Sequence, residues 1–185
     1  MGSHKQTFKK IWTHNLAGTT GVTVDGIFTS GNLYLFTGDS LYTTTNASHN
    51  KWSLRYTEND YELAYYSRSA QIMQHGQGGI IHQGSHNTTF GASVGYCGSA
   101  ATEAAAFKFW IKPGSIAELS GSYYYESIGH VNGTGFRIQQ EGGALRTDEK
   151  VHGFTFKQTN GYTYTSGNLN LYQLDFDQIK MVDNV

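Results

Sequence analysis

Residues Val151 to Phe176 read VHGFTFKQTNGYTYTSGNLNLYQLDF, and the fold of the whole chain turns on them. His152, Phe154 and Phe156 alternate with smaller or polar neighbours, and Leu169 and Leu171 do the same beyond a Gly- and Asn-rich connection. A period of two is the mark of strands with one face buried, because successive side chains leave a strand on opposite sides. Two such runs around a Gly/Asn turn predict an antiparallel pair, here the closing hairpin of a β-sandwich.

Composition extends that reading to the rest of the chain. The 185 residues include 23 Gly, 13 Tyr, 10 Phe and a single Pro, and only 15% are charged. Aromatic and β-branched residues suit strands, Gly and Asn suit turns, and there is little material for long amphipathic helices. A chain of this length buries about 70% of its unfolded surface as one domain. The expectation is one all-β, two-sheet antiparallel jelly-roll-like sandwich over residues 21–176, with an N-terminal arm or edge strand before it (1–20) and a tail after it (177–185). The spacing of the runs gives about eight to ten strands.

Ala104 to Lys112 is the clearest single strand. Phe107, Phe109 and Ile111 share one face, Lys108, Trp110 and Lys112 the other, and Pro113-Gly114 ends it. Tyr61 to Met73 carries weak helix-start signals at Asn59 and Glu62, yet its Tyr pair and Ser/Arg/Ser interruption favour a strand. Between His75 and Gly95 the Gly-, Ser- and Asn-rich text predicts short strands joined by long loops. The first twenty residues carry the apolar anchors Phe8, Ile11 and Trp12, read here as an arm that docks on a neighbour, with a first edge strand as the other reading.

Thr29-Ser30-Gly31-Asn32-Leu33-Tyr34-Leu35-Phe36 matches Thr165 to Tyr172 at six of eight positions. Both copies read as a Ser-Gly-Asn turn ahead of an alternating strand. The later copy, Ser166-Gly167-Asn168-Leu169-Asn170-Leu171-Tyr172, together with the layout of residues 21 to 176, resembles the C-terminal jelly-roll domains of tailed-phage tail-fibre, receptor-binding and head-decoration proteins. The resemblance implies a virion component made in the host cytoplasm, a homotrimer, and partners among other virion proteins or a host-surface glycan.

The formal net charge is −1 and no basic stripe follows Lys5, Lys9 and Lys10, so a nucleic acid partner is not expected. No run of about 18 apolar residues predicts a membrane span, and the first residues lack the apolar core of a signal peptide. Cys97 is the only cysteine, which leaves no intrachain disulfide and, without a basic setting, no activated thiol.

Three groups of residues are candidates for chemistry. Trp52, Tyr61, Tyr65, Trp110, Tyr123 and Tyr125 offer flat rings to the C–H faces of a sugar, or fill a sheet or subunit interface. His75, His82 and His86 lie close together among eight histidines and would hold a metal if they converged, most simply on the three-fold axis of a trimer; local hydrogen bonding is the other reading. Asp60 with Glu62, or Glu126 with Glu141, would make a glycosidase pair only at a separation of about 5–10 Å. No nucleophile elbow, metalloprotease helix or phosphate loop occurs. The expected function is therefore non-enzymatic and without cofactor: a phage receptor-binding or decoration protein. A bacterial carbohydrate-binding module and a purely structural capsid or tail protein gripping its neighbour by the arm are the alternatives.

Overall fold

The computed structural model describes residues 8–29, 31–45, 48–56, 66–74, 80–88, 93–113, 121–131, 135–145 and 151–174. Among them are twelve strands: β1 (Phe8–Asn15), β2 (Gly21–Val24), β3 (Tyr34–Thr43), β4 (Ser48–Tyr56), β5 (Tyr66–Gln74), β6 (Ile80–Thr88), β7 (Ser93–Cys97), β8 (Ala105–Lys112), β9 (Ser122–Val131), β10 (Gly135–Leu145), β11 (Val151–Gln158) and β12 (Tyr164–Leu174). The one helical piece among the described residues is the 3₁₀ turn Ala101–Glu103, whose Glu103 carboxylate accepts from the Ser99 backbone N–H at 3.0 Å.

The strands form two antiparallel sheets. The larger runs β1-β12-β3-β8-β9-β10-β5-β6 and the smaller β2-β11-β4-β7. Set aside the pairs β5/β6 and β9/β10, and the remaining eight strands cross between the sheets in jelly-roll order. First pairs with last, second with next-to-last, and the two four-stranded halves β1-β12-β3-β8 and β2-β11-β4-β7 lie face to face. The two extra pairs are hairpins inserted into this frame, and both extend the same edge of the larger sheet.

Residues 151–174 are the point where the sequence reading needs correction. β11 pairs with β2 and β4, whereas β12 pairs with β1 and β3, so the connection between them arches from one sheet to the other instead of closing a hairpin. The alternating runs are both half-buried, as expected, but they face each other across the core. Phe36 of β3 packs on Phe154 at 4.8 Å between ring centroids, Phe107 of β8 on Phe156 at 5.4 Å, and Trp52 of β4 on Phe109 at 4.0 Å. Facing elements bury both apolar sides at once, which a lone hairpin cannot do. In β8 the alternation holds as read: Phe107, Phe109 and Ile111 are core, and Lys108 and Lys112 are exposed.

The N-terminal residues also depart from the preferred reading. Residues 8–15 are an edge strand hydrogen-bonded along β12, and Ile11 and Trp12 pack against this chain's own core, the Trp12 ring standing edge-on to Phe154 at 5.6 Å. The repeated Ser-Gly-Asn text serves two purposes. Gly31 (φ 83°) turns the chain into β3, whereas Gly167 (φ 157°) lies inside β12 at the second of its two register shifts, between Ser166 and Asn168. There a Cβ would come within 2.6 Å of Leu41 Cδ2. The two copies lead onto adjacent strands, with Phe36 opposite Leu171.

Candidate functional site

Two polar clusters interrupt the core. Asn50 Oδ1 accepts from Gln158 Nε2 at 2.6 Å and from Tyr164 Oη at 2.8 Å, joining β4, β11 and β12 beside the buried Cys97. Burial pushes the Cys97 thiol pKa up, against the opposing pull of its Gln158, Thr43 and Asn50 hydrogen bonds. Nearer the added hairpins, Glu141 accepts from Tyr123 Oη at 2.9 Å and Tyr125 Oη at 3.1 Å, and Gln139 donates to Tyr125 Oη at 2.5 Å. All four side chains are buried and bonded to one another, while Gln139 Oε1 finds no hydrogen-bond partner among the described residues.

These clusters settle where several expected site residues stand. Tyr123 (5% exposed) and Tyr125 (0%) turn inward to hold Glu141, and Trp52 (1%) lies beneath the smaller sheet. None offers a face to a ligand, which corrects the expectation that they form a binding platform. Glu126 and Glu141 fall on opposite faces of the larger sheet, one exposed and one buried, so they cannot flank a single glycosidic bond. Tyr61, Tyr65, Asp60, Glu62 and His75 lie outside the described residues. His82 and His86 both fall on β6. Among the described residues, no group of three or more His, Cys, Asp or Glu converges. No helix among them is long and apolar enough to cross a membrane.

Trp110 is different, because it leaves β8 on the outer face of the larger sheet. It is half-buried there, with the Phe8 ring edge-on at 5.6 Å. Strand register sorts that face into three rows. An aromatic row carries Tyr172, Leu35, Trp110 and Tyr124; a polar row carries Asn170, Thr37, Lys108, Glu126, Gln140 and Gln71; an aliphatic row carries Ala106, Ile128, Ile138 and Met73. Phe136 is 59% exposed beside the aliphatic row, Ile128 and Met73 45% each, Tyr124 40%.

Between the polar and aliphatic rows is an open hollow of about 440 Å³ lined by β3, β8, β9 and β10. Ala106 causes it: the smallest side chain of its row stands directly opposite Ile128, leaving a gap in the surface. A bulge in β3 supplies one wall. Register with β8 shifts between Gly38 and Leu41, Ser40 adopts φ 55°, and Asp39 is turned outward to the rim. Such a left-handed conformation in a non-glycine residue costs about 1–3 kcal/mol, so the bulge is held by its surroundings. Across the hollow, Tyr124 Oη donates to Glu126 Oε1 at 2.9 Å; desolvation, and then this carboxylate, raise the phenol pKa.

Tyr124 and Ala106 escaped the sequence reading, although the signal for the first was present. Ser122, Tyr124, Glu126 and Ile128 share one parity, and the glutamate marks that parity as the wet face. Nothing in the sequence marks Ala106, whose role depends on which residues flank it across strands. No family model, curated protein or solved structure matches this chain.

Proposed function

We propose that this chain is a non-enzymatic, jelly-roll component of a tailed-phage particle, of the receptor-binding or decoration type, a homotrimer that recognises its target through the outer face of its larger sheet. The observation that carries the reading is the aliphatic row. Ile128, Ile138, Met73 and Phe136 stand exposed and contiguous on β9, β10 and β5, the strands added to the jelly-roll frame. Contiguous apolar area of this kind marks an interaction surface. The jelly roll is an architecture of viral coat and lectin domains, which supports the class without choosing among its members.

Light scattering tests the assembly: the expected mass is three times the 20.4 kDa of one chain. Ile128→Ser with Phe136→Ser, both exposed, should leave that mass unchanged and abolish adsorption of the labelled protein to bacterial cells or phage particles. A monomer that adsorbs to neither refutes the proposal. The hollow favours one second reading, a free carbohydrate-binding module that uses the same face as a monomer.

A further inference from the structure

We infer that the hollow over Ala106 is a binding site for a neutral sugar. The inference rests on the reading of the outer face as a recognition surface and names the ligand that one part of it takes.

Its volume of about 440 Å³ lies within the range of about 300–1,000 Å³ typical of small-molecule sites. Ala106, Ile128 and Ile138 give an aliphatic floor, and Asp39, Glu126 and Gln140 stand along the rim. That division matches a pyranose, whose C–H face is apolar and whose edge is a ring of hydroxyls. The two carboxylates accept from hydroxyl donors, while the Gln140 amide and the Thr37 hydroxyl both donate and accept.

Other occupants fit less well. Among the described lining residues an anionic ligand would meet two carboxylates, Asp39 and Glu126, against one cation, Lys108. An aliphatic chain would leave the rim groups desolvated and unpartnered. A peptide added as a strand needs a free sheet edge, whereas β3, β8, β9 and β10 are each paired on both sides. A second copy meeting this face hollow to hollow would enclose a void.

Ala106 also supplies the test, because it points outward and a larger side chain there fills the hollow without entering the core. The wild-type protein is titrated by saturation-transfer NMR and calorimetry with glucose, galactose, mannose, N-acetylglucosamine and their disaccharides, and with glucuronate as the anionic comparison. At least one neutral sugar should saturate, glucuronate should bind about 10-fold more weakly or worse, and Ala106→Leu should abolish binding with Tm unchanged. Glu126→Gln should weaken binding about 10-fold or more, the loss of a charge-assisted hydrogen bond. Absence of saturation by every neutral sugar, or an unchanged Kd in Ala106→Leu, overturns the inference. Adsorption of the wild-type and Ala106→Leu proteins to cells and particles is read separately. If both adsorb alike while no sugar saturates, the hollow is refuted and the virion reading survives; if a sugar binds without adsorption, the virion reading fails alone.

Discussion

Two tryptophans, one between the sheets and one on the outer face of the larger sheet, give the sharpest check on this architecture. Trp52 and Trp110 are both candidates in the sequence for a ligand-facing ring, yet Trp52 is 1% exposed and Trp110 lies on the outer face. The Trp52 ring contacts Phe109 at 4.0 Å and Tyr123 at 6.4 Å, and no neighbouring side chain can swing in from solvent to replace it. Truncating such a residue removes its transfer free energy and leaves a cavity, about 3–5 kcal/mol together. Against a total stability of about 5–15 kcal/mol, this is a large share. Trp110→Ala removes the same atoms from a surface where water fills the space, at a cost of about 1 kcal/mol. The difference, near 3 kcal/mol, separates the midpoints of urea unfolding at a shared m-value. In Tm it corresponds to about 6–12 °C for a chain of this size. Equal losses in the two variants, or a Trp52→Ala loss below about 1.5 kcal/mol, would refute the assignment of faces.

Gly129 lies on β9 beneath β7, and a Cβ there would come within 2.0 Å of the Tyr96 carbonyl oxygen. Gly129→Ala should cost about 2 kcal/mol or more by prising the sheets apart, measured by the same urea titration. His49 is held down to about pKa 4 by burial, then by the charges of Arg137 and Lys51. Its unfolded pKa is 6.5, so between those values the unfolded chain binds more protons and stability falls as pH drops from 6.5 to 4; His49→Gln should flatten that slope in pH-resolved thermal melts. Cys97, fully buried with its thiol pKa raised, should resist a disulfide-exchange reagent at pH 8 in the native protein and react at once in denaturant.

The all-β class, the inward face of β8 and the stop at Pro113 were legible because each depends on a local pattern. What was hidden depends on partners. Period-two alternation reports that the strands of Phe154 and Leu171 each bury one face, but it is silent on whether these residues sit side by side in one sheet or opposed across two. The arch was therefore taken for a hairpin. Among the three consecutive tyrosines, alternation alone admits either parity, and only the position of Glu126 decides that Tyr124 is the outer one. Trp12 read as an anchor for another molecule because its acceptor, Phe154, lies far away in the sequence. The hollow is the extreme case: its shape comes from Ala106, Ile128 and a bulge at Asp39, contributed by three strands.

The order of strand pairing has a consequence for how the chain acquires its structure. The partner of β1 is β12 and the partner of β2 is β11, so both early strands depend on residues more than a hundred positions away. Synthesis at about 5–20 residues per second keeps them waiting for several seconds or more with open edges. The ladder from Phe8 to Leu174 then closes one of the longest loops available to the chain, the kind of step that makes all-β folding slow. Premature contact between newly made copies, through unpaired β1 or β2, is the hazard built into this topology. Once β11 and β12 arrive, the same two strands complete both sheets together, so folding is gated by a single late event.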